Sequence, residues 1–151
     1  MRIGLISDTH GLLRPEAVSF LRGSDRIVHA GDVGDPGILA ELSGLASLCV
    51  VRGNIDTEPW AGHLPETERI EAGEISIYVL HDLSQLDIDP AAAGISVIVS
   101  GHSHKPVIER RKGIIFINPG SAGPRRFKLP IAVGEVLIDG RSIKPRIVEL
   151  G

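Results

Sequence analysis

The apolar run Ile3-Gly4-Leu5-Ile6 stops abruptly at Ser7-Asp8-Thr9-His10, and the same event recurs along the chain. Later apolar runs stop at Gly31-Asp32, at Gly53-Asn54, at His81-Asp82 and at Gly101-His102-Ser103-His104. In the first half, each short β-branched run leads through a Gly or Asp loop into a helix-like stretch, the pattern of βαβ units and a partly parallel sheet. In open α/β sheets, ligands gather just beyond the carboxyl ends of strands. A chain with this rhythm is therefore constrained in fold class and in where its chemistry collects.

Turn and cap residues divide the chain further. Residues 12–22 read as a helix, with Pro15 suited to a first turn, Ala17, Val18 and Leu21 able to share a face, and Gly23 closing it. Strands are expected over 25–30 and 47–52, with a second short helix over 36–42 ending near Gly44. Pro59, Trp60, Gly62 and Pro65 make 57–65 an irregular loop, of a kind that often borders a site. Residues 67–71 and 74–80 resemble a hairpin, 83–94 a short or poorly formed helix interrupted by Pro90, and 95–100 another strand. The rhythm then changes to antiparallel pairs, 107–111 with 114–118 across Lys112-Gly113, and 131–138 with 142–150 across Asp139-Gly140-Arg141. The switch marks two sheets within one domain spanning 1–151, an α/β sandwich of mixed sheets flanked by helices.

Composition narrows the function classes. A 42% hydrophobic content over 151 residues supports one real core. The net charge of −3 gives no bulk attraction for long nucleic acid or an anionic membrane, so an anionic substrate must be held locally. Cys49 is the only cysteine and lies in an apolar run, which excludes an intrachain disulfide and reads as a buried, inert thiol. No signal peptide and no apolar run of about 20 residues is visible, so the expectation is a soluble, cytoplasmic protein. A homo-oligomer is left open.

Asp8, His10, Asp32, Asn54, His81, His102 and His104 offer carboxylate, imidazole and amide donors without thiolate, a set suited to Mn²⁺, Fe²⁺, Zn²⁺ or Ni²⁺. Alone, Asp32 or Asn54 reads as a turn or cap residue and His81 as a satisfied strand-end histidine. Independent explanations at every strand end are harder to accept. Seven side chains are too many for one open site, but shared between two ions with one carboxylate bridging they leave room for water and substrate. Such a site clamps the attacking and leaving oxygens of phosphoryl transfer. Two dications against two aspartates and a hydroxide leave a formal charge of about +1, which suits a phosphodiester anion.

The ordered set Asp8-Thr9-His10, Gly31-Asp32, Gly53-Asn54, His81 and Gly101-His102-Ser103-His104 resembles the calcineurin-like metallophosphoesterases. Asn54-Ile55-Asp56, Leu64-Pro65, His104-Lys105-Pro106 and Asn118-Pro119-Gly120-Ser121 are similar to the small single-domain phosphodiesterases of bacteria and archaea. The resemblance spans residues 2 to about 126, and the trailing strands are expected in its second sheet. It implies a dinuclear site, manganese first, with Asp8, His10, Asp32 and His104 on one ion and Asp32, Asn54, His81 and His102 on the other. A bridging hydroxide would then attack phosphorus in line, with the ions and Asn54 stabilising the phosphoryl oxygens.

Two departures from the family pattern stand out. Ile55 replaces the histidine that many members carry after the asparagine, which removes an evident acid and favours good leaving groups. Asp82 stands where glycine is common in that family, and three roles are open to its carboxylate: binding the second ion, orienting water or weakening anion binding. Asp56 reads either as a partner orienting a ligand or as a cap, and Arg126 either as a phosphate grip or as a solvated loop residue beside Arg125 and Lys128. His29 reads as buried and non-ligating, His63 as exposed or in weak substrate contact, and Trp60 as core cover rather than a base-stacking platform. The leading expectation is a phosphodiesterase for small or nucleotide-like diesters. The alternatives are a protein-contact scaffold resembling the retromer scaffold subunit, and a phosphomonoesterase or nuclease.

Overall fold

The apolar runs that stop at the polar residues are strands. In the computed structural model, which describes residues 1–150, the elements follow as β1 (Arg2–Ile6), α1 (Pro15–Leu21), β2 (Arg26–His29), α2 (Pro36–Ser43), β3 (Ser47–Val50), β4 (Thr67–Ala72) and β5 (Ile75–Leu80). They continue as β6 (Val97–Val99), β7 (Val107–Arg111), β8 (Ile114–Asn118), β9 (Ala132–Asp139) and β10 (Ser142–Glu149). One five-stranded sheet has the order β10-β9-β1-β2-β3 and the other β4-β5-β6-β8-β7. Both are mixed: β1, β2 and β3 run parallel while β9 is antiparallel to β1, and β5, β6 and β8 run parallel between antiparallel β4 and β7.

Period-two alternation sets the layers. Ile3 and Leu5 of β1 join Val28, Ile77, Val79, Val97, Val99 and Ile117 in the cluster between the sheets. Ile6 and Ile27 point the other way, onto Ala17 and Leu21 of α1 and Leu42 of α2. Burying Ile27 or Leu42 completely contributes roughly 1.5–3 kcal/mol each, which pins both helices to the outer face. Gly4 permits this closeness, because a Cβ there would stand 2.6 Å from Leu21 Cδ2 and 2.8 Å from Ser24 Oγ. On the far side, Leu83, Leu86 and Ile88 cover Leu80, Ile98 and Ile114.

Three sequence expectations need correction. The first helix starts at Pro15 rather than residue 12, since the residue before a proline is pushed out of the helical region and Arg14 is extended at φ −74°, ψ 142°. Residues 83–94 form only a 3-10 turn over Leu83–Gln85 followed by bends and turns. The trailing strands β9 and β10 extend the first sheet, not the second. β9 is buried on both faces from Ala132 to Val136, so it needs a neighbour on each edge, and β1 and β10 supply them. Buried Glu135 locks this arrangement, accepting from Arg2 Nε at 2.7 Å and Arg146 Nε at 3.0 Å.

Candidate metal centre

The ends of β1, β2, β3, β5 and β6 deliver their polar residues to one place. Ligand atoms of Asp8, His10 and His104 lie within 4.8 Å of one another, and so do those of Asp32, His81 and His102. Asp32 stands between the groups: its Oδ2 is 3.4 Å from His10 Nε2 and 3.3 Å from His81 Nε2. Asp8 Oδ1 faces His104 Nε2 at 3.4 Å and His10 Nε2 at 3.8 Å. Asn54 joins the second group, its Oδ1 3.0 Å from His81 Nε2 and 3.2 Å from His102 Nδ1.

Loop geometry, rather than the strands themselves, aims these side chains. Hydrogen bonding continues past β1 and β2, from Asp8 N to Gly31 O, from His10 N to Asp32 O and from Gly11 N to Val33 O. Asp8, His10, Asp32, His102 and His104 all have φ between 46° and 70°; among the described non-glycine residues only Lys112 and Phe127 share that region. Left-handed backbone costs a non-glycine residue on the order of 1–3 kcal/mol and persists where the surroundings over-determine it. Here they do. A Cβ at Gly53 would collide with the Asp32 backbone nitrogen and carboxylate, one at Gly101 with Ser7 Oγ, and one at Gly31 would stand 2.7 Å from His81 Nδ1. The glycines therefore let neighbouring loops close on the site.

Buried polar side chains hold those loops. The Asp56 carboxylate, 3% exposed, accepts from the backbone N–H groups of Asp32 (2.9 Å), Val33 (3.2 Å), Gly34 (3.2 Å) and Gly53 (2.9 Å), tying the β2 loop to the β3 loop. Asn118 donates to Gly101 O and Ser103 Oγ and accepts from Gly120 N, fixing the loop that carries His102 and His104. Ser7 donates to Asp8 Oδ2, which also accepts from His102 N, leaving Oδ1 to face the histidines. The sequence reading assigned no role to Ser7 or Asn118. Asn118 did belong to a matched motif, whereas Ser7 carried no signal of its own.

Protonation states follow from the partners. His81 donates Nδ1–H to Ala30 O at 2.7 Å, which turns Nε2 toward Asp32. Burial raises the Asp32 pKa, but hydrogen bonds from His81 and the Ile55 N–H, with the nearby His81 and His10 charges, hold it down to about 2. Burial pushes His81 down, and Asp32 and Asp8 outweigh it and raise the net value. His104 is lowered, by burial first and by the Arg126 charge among other causes. His29 is not a ligand. Fully buried, it accepts from Gly31 N, donates Nε2–H to Thr9 Oγ1, and is pushed by desolvation to about 4.

The donor set fits divalent cations on observations of the site itself. Asp8 Oδ1 and His10 Nε2, which face one another across the first group, are buried and lack any hydrogen-bond partner, a state that costs roughly 1–3 kcal/mol per group without compensation. In addition, Asn54 Oδ1 faces His81 Nε2 and His102 Nδ1; with Nδ1–H of His81 donating to Ala30 O, a neutral His81 turns a lone pair toward that oxygen, a mismatch that either an amide turned to donate or a cation would satisfy. Carboxylate, imidazole and amide donors suit borderline divalent ions.

The remaining residues divide clearly. Arg126 lies on the exposed 124–128 loop beyond Gly123, which itself abuts the Asp8 and Thr9 carbonyls. Trp60 is half-buried against the helical cluster and donates to Glu58, which places it in the core cover. His63 is exposed and belongs to neither donor group. Cys49 is half-buried against the inter-sheet core, and burial pushes its thiol up to about 12. A groove of about 570 Å³ opens beside Asn54, His81 and His102, bordered by Arg52, Glu66 and Asp87.

Comparison with known proteins bears on this arrangement. The calcineurin-like phosphoesterase superfamily domain model matches residues 1–140. A probable metallophosphoesterase of Methanothermobacter thermautotrophicus is 37% identical over 162 aligned positions, covering 100% of this chain and 94% of that protein. The structure of an archaeal phosphodiesterase has a TM-score of 0.79 at 21% identity, covering 98% of this chain and 100% of that one. Vps29 of Entamoeba histolytica, solved in complex with Zn²⁺, has a TM-score of 0.77 at 23% identity, covering 99% of each chain. At such identities the two structural likenesses speak to the fold.

Proposed function

This chain belongs to the calcineurin-like phosphoesterase superfamily, and on that premise we propose that it is a metal-dependent phosphodiesterase for small or nucleotide-like diesters. The observation that carries the reading is Asp32 Oδ2, standing between His10 and His81 at the boundary of two donor groups. Asp8, His10, Asp32 and His104 would hold one ion, and Asp32, Asn54, His81 and His102 the other, with Mn²⁺ first and Fe²⁺, Ni²⁺ or Zn²⁺ as alternatives. Divalent ions bound there supply a clamp for the attacking and leaving oxygens and lower the pKa of a water.

The chain's own residues position the reaction. Asp56 keeps Asp32 in its left-handed conformation and sets Gly53, hence Asn54, against it. An amide whose oxygen faces the ions has its NH₂ left to donate to a phosphoryl oxygen, which gives Asn54 a second task. Arg126, exposed on the 124–128 loop and with its charge felt at His104, would grip a phosphate oxygen pair from outside. Ile55 offers no proton to the departing oxygen, so diesters with good leaving groups turn over fastest. We read residues 1–151 as one catalytic domain working in the cytoplasm; no helix among the described residues is long and apolar enough to cross a membrane.

A second reading, a protein-contact scaffold, draws on the likeness to Vps29. That structure is itself described as a Zn²⁺ complex, so metal binding alone does not separate the readings. Turnover does. Wild-type protein should hydrolyse a bis-aryl phosphate with Mn²⁺, lose the activity on chelation and regain it on re-addition. Silence of the wild type across Mn²⁺, Fe²⁺, Ni²⁺ and Zn²⁺ contradicts the enzyme reading and favours the scaffold.

A further inference from the structure

His102 is the most exposed of the candidate imidazoles, its side chain 46% accessible, and no backbone carbonyl holds its ring. It also faces the opposite way from His81. His81 turns Nε2 inward, whereas His102 turns Nδ1 inward, 3.2 Å from Asn54 Oδ1 and 3.3 Å from His81 Nε2. The outward nitrogen, His102 Nε2, lies 3.8 Å from Asp82 Oδ2. Asp82 is anchored in turn: its Oδ1 accepts from Ser84 N at 3.0 Å and from Ser84 Oγ at 2.8 Å, because it caps the turn over Leu83–Gln85. Oδ2 is left over for the imidazole.

We propose that Asp82 is the positioning residue for His102, holding its proton on Nε2 so that the Nδ1 lone pair enters the Asp32–His81 donor group. The proposal rests on the reading above that His102 is a metal ligand. A neutral imidazole has one donor and one acceptor nitrogen, so an acceptor on one side selects the tautomer and frees the other side for a cation. A carboxylate in that role also raises ligand basicity, and its loss typically costs 10–100-fold in metal affinity. At 3.8 Å the contact is an ion-pair separation rather than a hydrogen bond, and fixing the proton requires the exposed ring to close on the carboxylate to the roughly 2.7–2.9 Å of a charge-assisted bond.

This geometry decides among the roles open to Asp82. Its free oxygen faces the outward nitrogen of His102 and falls outside the clustered ligand atoms, which argues against direct ligation. The aspartate therefore adds a fixed acceptor to the least supported ligand.

The full chain supplies the test. Long-range ¹H–¹⁵N spectra of metal-free protein at about pH 8, above the ordinary histidine pKa near 6.5, report the His102 tautomer directly. The expected result is Nε2–H in the wild type, and loss of that preference both in Asp82→Ala and in Asp82→Asn, whose amide oxygen stays with the two Ser84 donors and turns its NH₂ toward His102. Titration with Mn²⁺ should then show one ion weakened about 10–100-fold in Asp82→Ala and at least as much in Asp82→Asn, with the other ion unaffected. Ser84→Ala, which removes one bond anchoring Asp82 Oδ1 but leaves Oδ2, guards against a mere folding effect. An Nδ1–H tautomer in the wild type, an unchanged tautomer in Asp82→Ala, or equal weakening of both ions overturns the proposal. A wild type that binds no Mn²⁺ contradicts the functional reading instead, and the metal-free spectra still decide the tautomer.

Discussion

Asp56→Asn isolates the part of the site that no ligand assignment touches. Three of the four backbone donors on this carboxylate converge on Oδ2, from Asp32, Val33 and Gly53, and Gly34 alone serves Oδ1. The least damaging orientation of the new amide puts its NH₂ at the Oδ1 position, where it meets the Gly34 N–H donor to donor. One charge-assisted bond is lost, and three fall from the roughly 1.5–3 kcal/mol of a bond to a charged group toward the roughly 1 kcal/mol of a neutral one. The sum is at least about 3 kcal/mol, a large share of the 5–15 kcal/mol typical of a folded domain. At roughly 2–4 °C per kcal/mol for a chain of this size, Tm falls by at least about 6 °C. Thermal unfolding in the presence of chelator reads this without metal, and Mn²⁺ titration of the folded variant should show weakened binding, because Asp32 loses the contact that holds its left-handed backbone. A Tm drop under about 2 °C with unaltered Mn²⁺ affinity refutes the reasoning.

Three further outcomes follow from other contacts. Gly101→Ala drives a Cβ into Ser7 Oγ and to 2.7 Å from Asp8 Oδ2, so stability falls by about 1–3 kcal/mol and Mn²⁺ binding weakens; retention of both counts against the close-approach argument. Arg126→Ala raises KM for a diester about tenfold with kcat nearly unchanged, the pattern of lost uniform binding, and an unchanged KM removes Arg126 from the substrate site. Burial opposes ionisation of Glu135, but Arg2 and Arg146 hold its carboxyl below the ordinary 4.5. A depressed carboxylate pKa gives stability that is fully present above the unfolded value and is lost as pH falls through the folded one. Denaturant unfolding of wild type and Glu135→Gln should therefore differ most near neutrality and converge below about pH 4.5, and a gap that widens in acid contradicts the assignment.

What was legible in the sequence was what local chemistry controls. An apolar run ending in Asp or His marks a strand end, so the seven polar residues were visible before their convergence was. The sheet that β9 and β10 join was not, because Asp139-Gly140 specifies the hairpin and leaves its docking edge to long-range pairing with β1. The helix expected over 12–22 begins at Pro15, because Pro15 suits a first turn and keeps Arg14 extended, which leaves residues 12–14 outside. Least legible was the left-handed backbone at Asp8, His10, Asp32, His102 and His104, since a non-glycine residue in that region leaves no sequence mark. Asp56 looked equally like a cap and a ligand partner, and its bonds to the Asp32 and Gly53 loops place it behind the ligands as their tie.

The central claim is that Asp32 joins two donor groups into one two-ion centre. Counting Mn²⁺ bound per chain in wild type and in Asp32→Ala, with bis-aryl phosphate turnover measured on the same samples, tests it most directly. The account predicts two ions and turnover in the wild type, at most one ion and no turnover in the variant. Two ions retained by Asp32→Ala, or a wild type that turns over substrate with a single ion, contradicts it.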